Sequence, residues 1–413
     1  MPADDRSATP AVPTKGVGGD PRESNDDVEE APGKIWFRDL DEAVIEADRC
    51  VQCASCVAAC PSDSIGIDAE EKRPTLVRMC TGCSRCWDFC PRSGLRYERL
   101  IQLAGEERGL EEPETYAARA TGGPAEAGQD GGVVTGLLAA LLEAGEIDGA
   151  VVARESDEQP LRADAFLATS REDLLEAGGS IYTQTMGLGQ IEDLLADADL
   201  GAEPDLALVG TPCTIQGATA LGRYGHEPAD PIALTVALMC TRSFEYDRLR
   251  SRIESLGVDP ERIESLDVGG GVLTAVDDAG ELLLETDVES FDAAGLRGCD
   301  ECADFVGGGA DVSVGSVGTD EGYTTVVVRT NNGRSAWNRA EDALEATEIE
   351  RPEPLERLAE WNRRRAESVL PRGFDPDAEV GITYEDHRRA YDGTDREPQP
   401  LNPARVHQYE EWC

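Results

Sequence analysis

From about residue 131 the chain alternates between two hydrophobic periods. Apolar residues recur at helical spacing over 133–143, and the short apolar run 149–153 reads as a buried strand. The alternation continues with a strand over 165–169, helices over 171–176 and 190–196, and a strand over 206–209. A helix over 215–221, a strand over 232–239 and a helix over 246–256 follow. Turn residues near 269–271 and 277–280 predict hairpin strands, and 311–314 and 324–329 predict two more strands. Helices over 335–346 and 354–369 close the pattern. The fold class this predicts is α/β, with α+β as the variant, over 131–333, followed by a helical extension and tail over 334–413.

Upstream the periodicity fades. Residues 1–33 are rich in Pro, Gly, Ser, Asp and Glu and are expected to be a disordered acidic tail. A short helix is expected over 39–47, where Leu40, Val44 and Ile45 share a face. Residues 101–130 carry Glu, Gly, Pro and Ala without a period and are expected to be a linker.

Charge sharpens the picture. The chain of 413 residues holds 83 acidic against 38 basic side chains, a net charge of −45. Only Lys15, Lys34 and Lys72 are lysines, so 38 − 3 = 35 of the cations are arginine. The excess is spread along the chain and reads as a halophilic surface adaptation rather than as one acidic docking face. Its field repels phosphate, so no nucleic-acid partner is expected. The longest apolar run, 133–142, is broken by Thr135 and Gly136 and falls short of the ~18 residues a membrane span needs. The N-terminus lacks a basic and apolar leader, so a cytoplasmic location is expected.

Thirteen cysteines in such a chain point to metal or redox chemistry. Eight form two runs: Cys50-x2-Cys53-x2-Cys56-x3-Cys60-Pro61, and the same run 30 residues later at Cys80, Cys83, Cys86, Cys90 and Pro91. This is the spacing of a two-cluster bacterial ferredoxin, in which the fourth cysteine of each run reaches the other cluster. The expected [4Fe–4S] ligand sets are Cys50, Cys53, Cys56 and Cys90, and Cys80, Cys83, Cys86 and Cys60. A zinc ribbon would leave the third cysteine of each run and both Cys-Pro endings unexplained. The ferredoxin-like domain is expected over 34–100.

Five cysteines remain. Cys213 and Cys240 follow strands, Cys299 and Cys302 form a Cys-x2-Cys loop, and Cys413 ends the sequence. Strand carboxyl ends are where α/β sheets place their sites, so a third cluster is one reading. The other readings are two small buried hydrophobes and a zinc or empty loop. Glycine loops at Gly131-Gly132, at Gly210-Thr211 and over 313–318 invite a nucleotide phosphate, although none matches G-x-G-x-x-G and each is also a plausible turn. Clusters carry single electrons and metabolic hydride donors deliver two, so a small-molecule site joined to clusters calls for a flavin. His226, His387 and His407 sit in no motif and are expected at the surface.

These pieces resemble the beta subunit of coenzyme F420 hydrogenase and dehydrogenase, in forms with an N-terminal two-cluster ferredoxin. The resemblance rests on 131–135 (GGVVT), 179–184 (GSIYTQ), 209–213 (VGTPC), 238–240 (LMC), Cys299-x2-Cys302 with 303–305 (ADF), 310–318 and 323–330. It covers about 40–330. It implies Cys213, Cys240, Cys299 and Cys302 as ligands of a third [4Fe–4S] cluster. It also implies FAD near Gly131, Gly132, Thr135, Tyr182, Thr183, Gly210 and Thr211, with Ser313 and Gly315 beside it. Asp130 stands where serine often precedes the glycine pair, and Ile181 where a basic residue is expected. The implied activity is hydride exchange between coenzyme F420 and FAD, with electrons passed to a ferredoxin or a larger complex, including a membrane-bound respiratory one. Two other readings stand beside it: a ferredoxin-dependent reductase of another small molecule (or a formate dehydrogenase beta-like subunit), and a non-catalytic electron relay.

Overall fold

The computed structural model describes residues 35–349, 352–398 and 400, which form one compact unit. The expected tail over 1–33, His407 and Cys413 lie outside the described residues.

The cysteine-rich segment opens with α1 (Phe37–Leu40), continued as a wider turn over Asp41–Ile45. It then runs through α2 (Ser55–Ala58), the antiparallel pair β1 (Ile65–Ile67) and β2 (Pro74–Leu76), and α3 (Arg85–Asp88). The repeat is visible in the backbone. Gln52 and Ala54 adopt left-handed conformations, as do Gly82 and Ser84 thirty residues on. Each such turn folds the loop back on its own sulfurs, so that Gln52 N–H donates to Cys50 Sγ and Gly82 N–H to Cys80 Sγ, both at 3.4 Å.

The expected linker is not one. It holds α4 (Tyr97–Arg108), β3 (Gly109–Ala120) and α5 (Gly123–Ala127). Tyr97, Leu100 and Ala104 are buried one helical turn apart. β3 lies inside the main sheet, between two antiparallel neighbours.

The α/β part follows with α6 (Val133–Ala144), β4 (Gly149–Glu155), β5 (Ala163–Ala168), α7 (Arg171–Glu176), α8 (Ile191–Ala196), β6 (Leu206–Gly210), α9 (Pro212–Arg223), β7 (Ile232–Leu238) and α10 (Tyr246–Ser255). A meander of β8 (Ser265–Gly269), β9 (Val272–Val276) and β10 (Leu282–Asp287) turns at Gly270 and Gly271, both at positive φ. Then come β11 (Val312–Gly315), β12 (Thr324–Thr330), α11 (Asn331–Arg339), β13 (Leu344–Glu348), α12 (Glu353–Val369) and α13 (Tyr384–Ala390). The helix expected over 335–346 is therefore split. Thr330 caps its start, its Oγ1 accepting from Gly333 N–H, and the chain re-enters the sheet at Leu344.

The eight-stranded sheet has the order β13-β3-β12-β11-β7-β6-β4-β5. β4, β6, β7 and β11 are parallel, and antiparallel strands close both sides. Alternate residues feed two cores. Ala150, Val152, Ala207 and Val236 meet α6 and α11 through Leu137, Leu141 and Trp337. Val151, Leu206, Leu208 and Ala237 meet α4, α8 and α9 through Leu100, Ile191 and Ile215. Ala59 and Phe89 of the cysteine-rich segment belong to this second core, which welds that segment to the sheet. The mixed α/β fold expected from the sequence is the fold observed.

Candidate functional site

Parallel strands deliver their carboxyl ends to one edge of the sheet, and α9 starts there. Pro212 occupies its first turn, where a missing N–H leaves nothing unsatisfied. Cys213 follows immediately. Thr211 Oγ1 lies 3.2 Å from Cys213 Sγ, and Gln184 Nε2 donates to Thr211 Oγ1 at 3.1 Å and to Ser243 Oγ at 2.7 Å. Ser243 Oγ is 3.9 Å from the sulfur of Cys240, just beyond β7. Cys299 and Cys302 sit in a tight turn, with Cys302 N–H donating to the Cys299 carbonyl at 3.1 Å. α12 covers this turn: Arg365 Nη2 donates to the carbonyls of Thr241 at 2.8 Å and Cys299 at 3.2 Å.

The four cysteines come together. Cys213 has Cys299 and Cys302 among its electrostatic neighbours, and Cys240 has the same two. The inner half of the cysteine-rich segment touches the group, since Val51, Cys53, Cys213, Leu296 and Cys299 form one packed cluster. Within that half, Cys50, Cys53, Cys56 and Cys90 line one small apolar pocket with Leu40, Val44, Val51 and Pro74. The sulfur neighbours of Cys86 are Cys80, Cys83, Cys60 and Cys90, and Cys83 is exposed. Cysteines of the two runs thus lie next to one another, with Cys90 beside Cys56 and Cys60 beside Cys86.

Burial pushes the thiols of Cys56, Cys86 and Cys213 well above the usual range, and that of Cys240 up to about 12. An apolar pocket rejects four bare thiolates, and a bound cationic centre reverses that preference. Among the described residues no three His, Cys, Asp or Glu side chains are arranged to hold a single metal ion. The donor sets fit multi-iron clusters, whose thiolates stand farther apart than those of one zinc.

The residues expected near FAD fall into two groups. Gly131 and Gly132, both at positive φ, lead into α6, and a side chain at Gly132 would strike the Pro124 carbonyl at 1.9 Å. Thr135 is buried on the first turn of that helix. Tyr182 OH accepts from Val268 N–H at 2.9 Å, and Asp267 acts on both Tyr182 and Asp130. Half-burial and the Asp267 charge raise the Asp130 carboxyl above its usual range. The second group is Thr183, Gly210 and Thr211, joined through Gln184. Thr183 also lines a shallow cleft with Glu70, Glu71, Lys72, Arg162, Glu245 and Asp247. Gly315, the last residue of β11, packs against Met239. Ser313 is fully buried, its hydroxyl donating to the Gly307 carbonyl and accepting from Arg329.

Sequence reading missed a buried ionic cluster. Arg49 donates to Glu301 at 2.7 and 3.0 Å, to the Ala43 carbonyl and to the Arg92 carbonyl. Glu301 also accepts from Arg396 and from Tyr391 OH. Against the cost of burial, the Arg49 and Arg92 charges and the Tyr391 hydrogen bond hold its carboxyl down to about 2. His387 corrects the surface expectation: it is 1% exposed, with Nε2 accepting from Arg49 at 3.1 Å. His226 is half-buried against Phe89. The one sequence signal for the cluster was that Arg49 and Arg92 flank the cysteine runs.

A two-cluster ferredoxin module welded to an α/β sheet, with a further cysteine quartet at the strand ends, defines the class of iron–sulfur electron-transfer oxidoreductase subunits. Comparison with known proteins narrows this. Residues 43–95 match the 4Fe-4S dicluster domain. Residues 115–192 match the N-term part of the coenzyme F420 hydrogenase/dehydrogenase, beta subunit, and 204–352 its C terminus. The coenzyme F420 hydrogenase subunit beta of Methanothermobacter thermautotrophicus is 35% identical over 254 residues, 59% of this chain and 88% of the relative. The chain belongs to the family of coenzyme F420 hydrogenase/dehydrogenase beta subunits. One subunit of the F(420)H(2) dehydrogenase of Methanosarcina mazei is 27% identical over 78% of this chain and 91% of its own. A coenzyme F420-dependent sulfite reductase of Methanocaldococcus jannaschii is 31% identical over 80% of this chain, which spans only 51% of that relative's length. A chain in a structure of the F420-reducing [NiFe] hydrogenase complex from Methanosarcina barkeri superposes with a TM-score of 0.58 at 27% identity, covering 64% of this chain and 91% of the other. Among the described residues no helix is long and apolar enough to cross a membrane.

Proposed function

We propose that the chain is the F420-reactive, electron-distributing subunit of an oxidoreductase, binding FAD at the strand ends and three [4Fe–4S] clusters. Bound flavin and clusters supply the conversion of a two-electron hydride, given by reduced F420, into single electrons. The chain's own residues do the holding. Cys50, Cys53, Cys56 and Cys90 form one ligand set, Cys60, Cys80, Cys83 and Cys86 a second, and Cys213, Cys240, Cys299 and Cys302 a third. Gln184, Thr211 and Ser243 orient Cys213 and Cys240 through the hydrogen bonds described above. Gly131, Gly132, Thr135, Tyr182, Thr183, Gly210 and Thr211 are the residues offered to the flavin, with Gly315 at the same sheet edge. Ser313 serves that edge through Arg329 and Gly307 rather than by contact.

One observation carries the reading: the strand-end quartet packs directly against the inner ferredoxin half, through Cys53 and Cys213. A non-catalytic relay would not need thiols at the sheet's ligand edge. The acceptor is a ferredoxin or a larger complex, as the relatives named for multi-subunit hydrogenase and dehydrogenase enzymes suggest. A second reading keeps the centres and replaces F420 by another small molecule. Asp130 and Ile181 favour it, because both weaken an anion site.

The test is anaerobic purification with iron, zinc and flavin analysis per chain, followed by addition of reduced F420. The proposal expects FAD, about twelve irons and bleaching of the flavin band. Flavin that stays oxidised moves the assignment to the second reading. Absence of flavin ends both.

A further inference from the structure

The internal repeat is broken at two positions next to its cysteines. Arg49 precedes Cys50 where Met79 precedes Cys80, and Arg92 follows Cys90-Pro91 where Ser62 follows Cys60-Pro61. Both arginines are buried, at 1% and 3% exposure, and both lie on the inner side of the ferredoxin fold.

They are used differently. Arg49 is spent on Glu301, Tyr391 and two carbonyls. Arg92 donates from Nε to the Gly298 carbonyl at 2.7 Å and from Nη1 to the Pro91 carbonyl at 2.8 Å. Its Nη2 is shut off from solvent and has no hydrogen-bond partner. Gly298 adjoins Cys299 in sequence, and the backbone N–H of Arg92 donates to Cys90 Sγ at 3.4 Å. One guanidinium thus reaches from the loop of one quartet to the loop of another. Its field acts on Cys50 and Cys90 on one side and on Cys213, Cys299 and Cys302 on the other. The carboxylate acting on it is Glu301, which is already held by Arg49 and Arg396, so Arg92 does not have a carboxylate to itself.

We propose that Arg92 is a positioning residue shared by two centres: a buried counter-cation at the junction of the Cys50/Cys53/Cys56/Cys90 and Cys213/Cys240/Cys299/Cys302 quartets that raises both reduction potentials together. This rests on the three-cluster reading above. Adding an electron to either centre adds a negative charge beside a buried guanidinium, and a fixed cation there favours the reduced form. Because the same cation serves both, electron transfer between them runs between levels that move in step. The Cys60/Cys80/Cys83/Cys86 set has Ser62 at the equivalent place and stands outside this coupling.

The test is an EPR-monitored redox titration of the anaerobically purified full chain, wild type against Arg92→Gln, Arg92→Lys and Ser62→Ala. A Cys83→Ser background removes the outer centre's signal and identifies the other two. Wild type lacking about twelve irons defeats the three-cluster reading itself, separately from the role of Arg92. Given full loading, Arg92→Gln lowers the one-electron reduction constant of both flanking centres about tenfold or more, which is ~59 mV. The outer centre moves less than about threefold, as all three do in Arg92→Lys and Ser62→Ala. A shift in one flanking centre alone, equal shifts in all three, or Arg92→Lys shifting as far as Arg92→Gln overturns the proposal. Should Arg92→Gln fail to load iron, Arg92→Lys decides: potentials within about threefold of wild type support the shared charge, and a tenfold shift refutes it.

Discussion

The two halves of the ferredoxin repeat have the same spacing and live in opposite environments. The inner half, around Cys50–Cys56 and Cys90, is wedged against α9. A side chain at Gly217 would meet Ser55 Oγ at 1.9 Å, and one at Gly189 would meet Val57 at 2.8 Å. The outer half, around Cys80 and Cys83, faces water, with Met79 88% and Val77 57% exposed. A sequence repeat is symmetric, and docking on a larger domain is not. That asymmetry gives the assembly a direction: one half adjoins the strand-end quartet, while the other is where a partner can come within reach.

The comparison breaks or sharpens first at its ions. Glu301→Gln leaves the buried Arg49 without its counter-anion, and a loss of about 3–5 kcal/mol in unfolding free energy is expected from denaturant titration. The outer-half pair Arg78–Asp63, 3.6 Å apart and mostly exposed, costs under about 1 kcal/mol when Arg78→Ala breaks it. Equal losses at the two pairs would erase the distinction between the halves. Packing is the next test. Gly217→Val forces Ser55 and Leu188 apart and costs about 1–3 kcal/mol. Gly66→Ala meets only Val77, whose exposed side chain swings outward, and is expected to stay within about 0.5 kcal/mol.

One pH effect sits on the inner side. Burial and the Arg49 charge hold His387 well below its usual range, so it is neutral in the folded chain. The unfolded chain takes up a proton below about pH 6.5 and the folded chain does not. Stability is therefore present above that pH and falls as the pH drops, by up to about 1.4 kcal/mol per unit. His387→Asn should flatten the decline between pH 6.5 and 5.5 in thermal unfolding scans. An unchanged slope would put the titrating group elsewhere.

What could be read from the sequence divides along physical lines. Cluster-ligand spacing is covalent geometry, so both cysteine runs were legible, as were α6 and the parallel strands, whose apolar runs are buried on two faces. β3 was not. Its residues, 109–120, are rich in Ala and Glu and include Pro113, only Ala118 and Ala120 are buried, and its strand state comes from pairing with β12 and β13. The break between α11 and β13 depends on the same pairing. His387 and Glu301 looked ordinary because their partners lie up to 338 residues away, and no local pattern carries such a contact. The strand-end quartet was half legible: position after a strand suggested it, but only the fold brings residues 213, 240, 299 and 302 to one edge.

The smallest expected effect is on the outer face, and it is the one most able to break the comparison. Met79 is exposed in the described chain and precedes Cys80, so Met79→Ala removes a side chain that loses little on unfolding. The change in unfolding free energy should lie within about 0.5 kcal/mol, and iron content should be unaltered. A loss above about 1 kcal/mol would mean that something covers this face in solution, whether a segment outside the described residues or a second copy of the chain. Those two are separable, since a second copy makes the loss depend on protein concentration and a segment of the same chain does not. Either result would make the outer half an interior one, and the direction inferred from the two halves would have to be redrawn.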